Sequence, residues 1–390
     1  MKKLDNIISE VKQNSIELTN IDSLDNYQFI KSLIKDKKYI FIGESSHLVK
    51  EYSIAKVNLI KFLHQKLGFK VIAFESELGD CTVGDYLSQE LNPIDFMRGS
   101  IGRVWHNEYI LQLFDYIQEN KENNPLYLTG IDVQQSENKH FAPFLEQYFE
   151  EPYYKNLFRD VHHAINRMLN LKRIKKTPQI IEELNEIKEK TSILTKELEA
   201  RSVSNNVLQK VIIRTLNNRA DYLHFTITNG FSKLFQHREE LMAGNFEFIT
   251  KEIYPEEKII IWAHNLHIKR KSSANRLAAY SSFFENLPQR IKNDSFVLGL
   301  YAYEGKMGNY RGSDYLIKKA NKKNLEWLLS HSPYQNFFIK TDLIWGQKKW
   351  QAFEGGSTRI SFVPAEQYDG LLFFKTVNPI HLKPVASKSN

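Results

Sequence analysis

Five short runs of apolar, β-branched and aromatic residues punctuate the chain: KYIFIG (Lys38–Gly43), KVIAFE (Lys70–Glu75), PLYLTG (Pro125–Gly130), KIIIWA (Lys258–Ala263) and FVLGLY (Phe296–Tyr301). Their apolar residues are consecutive, not alternating, which is the pattern of a strand covered on both faces. Between them the period changes. In KEYSIAKVNLIKFLHQKLGF, Val57, Ile60, Leu63 and Leu67 share one helical face and Gly68 suits the stop. In WHNEYILQLFDYIQEN, Ile110, Leu113, Phe114 and Ile117 repeat the arrangement. Strand, helix, strand, helix, strand predicts right-handed crossovers in a mainly parallel sheet. NFFIKT and GLLFFK are expected as late strands.

From about Glu150 to Lys251 the pattern contains no strand. Ile180, Leu184, Ile187, Leu194 and Leu198 keep a heptad-like seam with Thr191 in the gap, and RTLNNRADYLHFTI continues in helical style. The seam is short for a coiled coil between chains, so internal packing is its expected use. The expected fold class is therefore α/β: a mainly parallel central sheet flanked by helices, in a single domain over 1–390 with a long helical insertion at about 150–251. No period of 20–50 residues repeats, which argues against a solenoid.

Composition narrows the classes of function. With 390 residues, 42% of them hydrophobic, the chain can bury a large core. The net charge of +7 is a small excess of 53 basic over 46 acidic residues, and nucleic-acid binding would want that excess in one patch. The best candidate patch, LKRIKK (Leu171–Lys176), runs straight into an acidic helical stretch and reads as a solvated helix end. Cys81 is the single cysteine, so the chain has neither an internal disulfide nor a thiolate cluster. Asp5 and Glu10 interrupt any apolar signal core near the start, and no apolar stretch approaches the ~20 residues of a membrane helix. The expectation is a soluble, cytoplasmic protein with no nucleic-acid or membrane partner and no cofactor.

In an open parallel sheet, ligands gather where the crossover loops leave the carboxyl ends of the strands. The first strand is followed by Glu44 and His47, the second ends on Glu75, the third leads to Asp132, and the fourth delivers His264 and His267. Each has a plainer explanation. Glu44 could cap the next helix, His47 could be satisfied in its first turn, and Asp132 after Gly130 is ordinary turn chemistry and reads first as structural. Four strand ends bearing acids or imidazoles on one edge nonetheless point to a site. Its chemistry would be proton transfer. A histidine titrates in the range needed to deprotonate attacking water, a neighbouring carboxylate holds it in the useful tautomer, and a second imidazole or an arginine could stabilise the developing charge. No GxSxG elbow occurs, GIGRVWHNE lacks the pattern of a phosphate loop, and Ser45 and Ser46 read as small turn residues.

Taken together, GESSH, AFES, LYLTGIDVQ, HREELMAGNFEFI, IIIWAHNLHI and the tail PAEQYDGLLFFKTV resemble, in order and spacing, the successive motifs of the erythromycin esterase family. The resemblance spans Tyr39 to Val377. It implies an α/β fold with a helical insertion and a cleft in which an ester or lactone, best known as a macrolide, is hydrolysed without a metal. It further implies that His47 is the general base, that Glu44 and Glu75 orient or polarise it and the water, and that His264 stabilises the oxyanion. His267, Arg238 and Asp132 would lie on the substrate side. One position departs: the family usually carries glycine directly after the motif's histidine, and here it is Leu48. A leucine there narrows backbone freedom and bears on specificity more than on chemistry.

Three rival functions stay open at this point. Glu44, His47, Glu75, His264 and His267 are also residue types that zinc or manganese would choose. The same base and oxyanion groups could run acyl transfer, ring closure or elimination. A non-catalytic binding protein could use the helical insertion as its partner surface.

Overall fold

Unbroken runs of isoleucine, tyrosine and phenylalanine leave no face for water, so the strands they form belong in an interior. The structure, a computed structural model, describes residues 2–135, 140–170, 176–201, 206–274 and 280–382. Most of the basic run Leu171–Lys176 lies outside the described residues. The fold is α/β with a mostly parallel central sheet. The described residues of Met1–Ile72, Arg103–Leu126 and Glu257–Asn390 form one compact unit, and those of Ala73–Gly102 and Tyr127–Glu256 form a second.

In chain order the strands are β1 (Ile16–Glu17), β2 (Tyr39–Ile42), β3 (Phe69–Glu77), β4 (Tyr127–Asp132), β5 (Lys258–Trp262), β6 (Ser295–Gly308), β7 (Asp314–Leu316), β8 (Asn336–Lys340), β9 (Trp350–Glu354), β10 (Thr358–Phe362) and β11 (Gly370–Val377). In the first unit the order runs β1-β8-β11-β6-β2-β5. All four residues of β2 are buried, and the strand lies between β5 and β6, parallel to both, with Tyr39 opposite Ile259 and Ser295. β11 runs parallel to β6 on its other side and antiparallel to β8. After β2 the chain makes a short turn into the helix Lys50–Leu67, which stops at Gly68 as its pattern predicted.

Two strand features differ from the expectation. β6 continues seven residues past Tyr301 and folds back as β7; its exposure alternates from Tyr303 to Lys306, the mark of a strand with one wet face, so the apolar run alone undercounts it. β9 and β10 form a separate hairpin that the sequence pattern did not single out. Its turn carries Gly355 and Gly356 at φ of +57° and +65°, with Ser357 N–H donating to the Glu354 carbonyl at 3.3 Å. Two successive positive φ angles make this a type I′ turn, whose twist matches that of the paired strands.

In the second unit the end of β3 neighbours β4 in sheet order, and the described residues from Pro152 to Ile253 are organised as helices. The seam residues Leu184, Ile187, Thr191, Leu194 and Leu198 are buried, and their helix, Pro178–Ala200, packs on the helices Pro152–Leu169 and Val207–Thr228. Thr191 keeps its place because its hydroxyl donates to the Ile187 carbonyl at 2.7 Å. A buried ion pair ties this layer to the strand layer. Arg219 donates to Glu77 at 2.7 and 2.5 Å and stacks over the Phe141 ring with its guanidinium carbon 4.3 Å from the centroid.

Removing one partner of such a pair strands a charge, whereas removing both need not. Arg219→Met is expected to cost about 3–5 kcal/mol by chemical denaturation, and Arg219→Met/Glu77→Leu to recover most of it. An Arg219→Met protein as stable as the wild type would show that the pair does not hold these layers together.

Candidate active site

The turn between β2 and the helix Lys50–Leu67 is pinned before any side chain acts. Gly43 N–H donates to the Leu298 carbonyl at 2.8 Å and Ser45 N–H to Leu300 at 3.1 Å, both on β6. From the short helix that follows β5, Asn265 N–H donates to the Glu44 carbonyl at 2.8 Å. Asn265 packs so closely that a Cβ on residue 43 would overlap its side chain, which accounts for glycine there. Backbone from β6 and from the helix after β5 thus fixes where Glu44 and His47 point.

Glu44 is buried, and it is the centre of the cluster. Its Oε1 accepts from His47 Nδ1 at 2.7 Å and from Trp105 Nε1 at 3.0 Å, while Lys56 Nζ lies 3.2 Å from Oε2. Lys56 is itself fully buried, with its ammonium 4.1 Å from the centroid of the Trp262 ring. Burial is the largest single influence on the Glu44 carboxyl and pushes its pKa up. Lys56, the His47 hydrogen bond and charge, and Trp105 together outweigh it and lower the pKa from 4.5 to about 2. The depressed value gives a definite sign: the anion contributes stability above pH ~4.5, and that contribution is lost as pH falls toward 2.

An ionised carboxylate can only accept, so in the neutral His47 ring Nδ1 carries the proton and Nε2 the lone pair. The His47 side chain keeps 18% of its surface exposed, whereas Glu44 is almost fully enclosed. The imidazole therefore reaches solvent and the carboxylate that holds it does not. The rings of Trp105 and His264 flank His47, each with its centroid 5.2 Å away and tilted by 80° and 70°.

His264 caps the short helix Asn265–Ile268. Its Nδ1 accepts from Leu266 N–H at 3.1 Å and its Nε2 donates to the Ser45 carbonyl at 3.1 Å. Both ring nitrogens are engaged by protein groups, so the ring offers no lone pair to a metal in this arrangement. Among the described residues, no three His, Cys, Asp or Glu side chains are grouped to hold a metal ion. His267 is buried in the same short helix. The two serines of the turn are each tied to a tyrosine: Ser45 Oγ lies 3.0 Å from the Tyr52 hydroxyl and Ser46 Oγ 3.2 Å from that of Tyr315.

In the second unit, Glu75, Asp132 and Arg238 form an ion cluster of their own. Arg238 donates to both Asp132 oxygens, at 2.9 and 2.5 Å, and to Glu75 Oε1 at 3.3 Å. Burial works against the Arg238 charge, but Asp132 and Glu75 outweigh it and hold its pKa above the usual value. Asp132 also accepts from the N–H groups of Val133 at 2.7 Å and Gln134 at 3.3 Å, so it closes its own turn while clamping the arginine.

Residues 64–377 match the family model described as erythromycin esterase. The chain belongs to the erythromycin esterase family. It is 26% identical over 389 residues to a protein of Bacillus subtilis (strain 168) named "Putative hydrolase YbfO", covering 90% of this chain and 86% of that one. It is 22% identical over 359 residues to erythromycin esterase type II of Escherichia coli, covering 82% of this chain and 84% of the relative. Among solved structures, a succinoglycan biosynthesis protein superposes with a TM-score of 0.78 at 16% identity, over 98% of this chain and 100% of the other. At that identity the likeness concerns the fold.

Leu48 stands where the resemblance leads to the expectation of glycine, and its backbone takes a conformation that favours glycine. Leu48 has φ of +56°, the left-handed region, and is the one non-glycine residue with positive φ among the described residues. For an L-residue this conformation costs about 1–2 kcal/mol. It is held by Ile380 N–H and Gly308 N–H, which donate to the Leu48 carbonyl at 2.9 and 3.2 Å, and by packing of the buried side chain against Ile380, Leu382 and Tyr109. The leucine adds an apolar contact and carries the strain of that conformation.

Lys56, Trp105 and Tyr52 did not emerge from the strand-end argument, because they contribute from helices or loops. A signal existed for Lys56: it lies four residues before Ile60 and three before Leu59, a lysine inside the apolar stripe of its helix. Leu48 gives a direct test of strain. Leu48→Ala loses the packing and keeps the strain, and is expected to cost about 2–3 kcal/mol in urea denaturation. Leu48→Gly loses the same packing but releases the strain, and is expected to be more stable than Leu48→Ala by about 1 kcal/mol. The opposite order would show that the turn is not strained.

Proposed function

We propose that the protein hydrolyses a carboxylic ester or lactone with water activated by His47. The observation that carries this is the 2.7 Å contact between His47 Nδ1 and a buried Glu44 whose pKa is lowered to about 2. Glu44 fixes the tautomer and stabilises the imidazolium that forms as Nε2 takes the proton from water, the role a buried carboxylate plays in hydrolase triads. The attacking oxygen adds to the ester carbonyl, the tetrahedral intermediate collapses, and His47 returns the proton to the departing alcohol.

His264 is assigned to the developing oxyanion. In the resting arrangement its Nε2–H rests on the neutral Ser45 carbonyl. Moved onto an oxyanion, the same N–H would bond more strongly in the transition state than in the ground state, which is the condition for catalysis. The Ser45 carbonyl would keep a partner, because Gly355 N–H also donates to it at 2.6 Å. Glu75, Asp132, His267 and Arg238 are assigned to polarising water and holding substrate, following the family resemblance.

The substrate proposed is a small-molecule ester or lactone. A macrolide is the first to try, because the relative in Escherichia coli is named for erythromycin. No metal is assigned to the mechanism, following the family resemblance. The single cysteine suits a cytoplasmic location.

Screening 4-nitrophenyl esters and lactones, macrolides included, against wild type and His47→Ala tests the proposal. Turnover in ¹⁸O-labelled water is expected to place one label in the released acid, to survive EDTA, and to fall by about 10²–10⁴-fold in kcat for His47→Ala. Label-free product would point to elimination or acyl transfer. Loss of activity in EDTA with rescue by a divalent ion would point to a metallohydrolase, and His47→Ala at wild-type rate would remove the base.

A further inference from the structure

Beneath the catalytic turn lies a buried ion pair that the mechanism above does not use. Lys269 Nζ sits 2.5 Å from Glu354 Oε1, and both side chains are almost fully enclosed. The Tyr301 hydroxyl donates to the same Oε1 at 2.7 Å and lies 3.0 Å from the Tyr368 hydroxyl. The Phe362 ring lies under the ammonium, its centroid 5.3 Å away.

A pair placed this deep needs a reason. Replacing a buried ion pair with apolar residues of similar volume is often neutral or stabilising, so stability alone does not explain it. Burial also opposes both charges: it pushes the Glu354 carboxyl up and the Lys269 ammonium down, and in each case the partner only offsets this. What an ion pair supplies that apolar packing lacks is direction, a fixed distance between two particular backbone segments.

Those two segments are the ones that converge on the turn of the base. Lys269 directly follows the helix Asn265–Ile268, which opens with His264, and its N–H donates to the Asn265 carbonyl at 3.2 Å. Glu354 is the last residue of β9 and directly precedes Gly355. His264 Nε2 and Gly355 N–H are the two donors to the Ser45 carbonyl, at 3.1 and 2.6 Å. Ser45 follows Glu44, whose own carbonyl is held by Asn265 N–H. One ion pair therefore joins the two arms that grip the Glu44–Ser45 backbone from either side.

We propose that Lys269 and Glu354 are positioning residues, which by linking the His264 segment to the β9–β10 turn set the place of the Ser45 carbonyl and, through it, the aim of the Glu44–His47 pair. The link also keeps Gly355 N–H on that carbonyl when His264 leaves it for an oxyanion. The inference deepens the proposed mechanism and rests on His47 being its base.

The test separates direction from stability. In Lys269→Met/Glu354→Leu the pair is replaced by apolar packing, and the melting temperature is expected to return to within a few degrees of wild type. With 4-nitrophenyl acetate as probe, kcat is nonetheless expected to fall about 10–100-fold with KM within twofold, the signature of a misplaced base. Glu354→Gln, which keeps the shape and removes the charge, is expected to show the same split and covers the case in which the double variant does not fold. A merely structural pair would give wild-type kcat in a variant of wild-type stability, and that result would overturn the proposal. A second readout does not depend on turnover: in histidine-labelled protein, the His264 Nε2 ¹⁵N shift is expected to move in both variants as its bond to the Ser45 carbonyl loosens. An unmoved shift would overturn the positioning role, whereas a wild type inert toward esters would overturn only the proposed reaction.

Discussion

The first unit is organised around one negative charge kept away from water. A carboxylate at the end of a buried strand is costly unless its charge is paired and hydrogen-bonded, and Glu44 has three partners: an indole N–H and an imidazole N–H that donate to one oxygen, and an ammonium 3.2 Å from the other. Each constrains a different element. Lys56 sets the rotation of the helix Lys50–Leu67, Trp105 fixes the loop before the helix Glu108–Asn120, and His47 is left with its proton on the inner nitrogen. The same contacts that make the buried charge tolerable thus leave a partly exposed imidazole with its lone pair on Nε2, the form the proposed base requires. Stability and proposed function draw on the same hydrogen bonds, so neither can be changed alone.

The backbone around that charge is equally constrained. Leu48 takes a left-handed conformation that leucine resists, directly after His47, and the chain that returns at Ile380 holds it there. Strain of this kind persists only where surrounding structure over-determines it. The Ser45 carbonyl, gripped by His264 and Gly355, is the matching constraint on the other side of His47.

Much of this was legible in the residues. Runs such as YIFI and KIIIW cannot be amphipathic, so they declared themselves as interior strands, and β2 and β5 lie within a residue of where the pattern put them. The i, i+3 spacing of Glu44 and His47 placed them within reach of each other on one turn. The partners from distant sequence were harder to see. Lys56 reads as a solvated lysine unless the helix face is drawn, and nothing local to Trp105 says that its N–H points at Glu44. The β9–β10 hairpin is short and mixed in polarity, and Lys269–Glu354 is a pairing across 85 positions, which no periodicity encodes. Asp132 after Gly130 reads as turn chemistry, and its bonds to Val133 and Gln134 show that chemistry, but its salt bridge to Arg238 depends on tertiary folding alone.

The charge state of Glu44 is the point on which all of this turns, and it can be measured without a substrate. In protein labelled with ¹³C at the glutamate side-chain carboxyls, the Glu44 resonance is assigned by its loss in Glu44→Gln and followed from pH 7 to pH 3.5. The account predicts the shift of an ionised carboxylate throughout, since a pKa of about 2 lies below that window. A midpoint at or above the ordinary value near 4.5 would contradict it, and would leave His47 without the fixed acceptor that its proposed role requires.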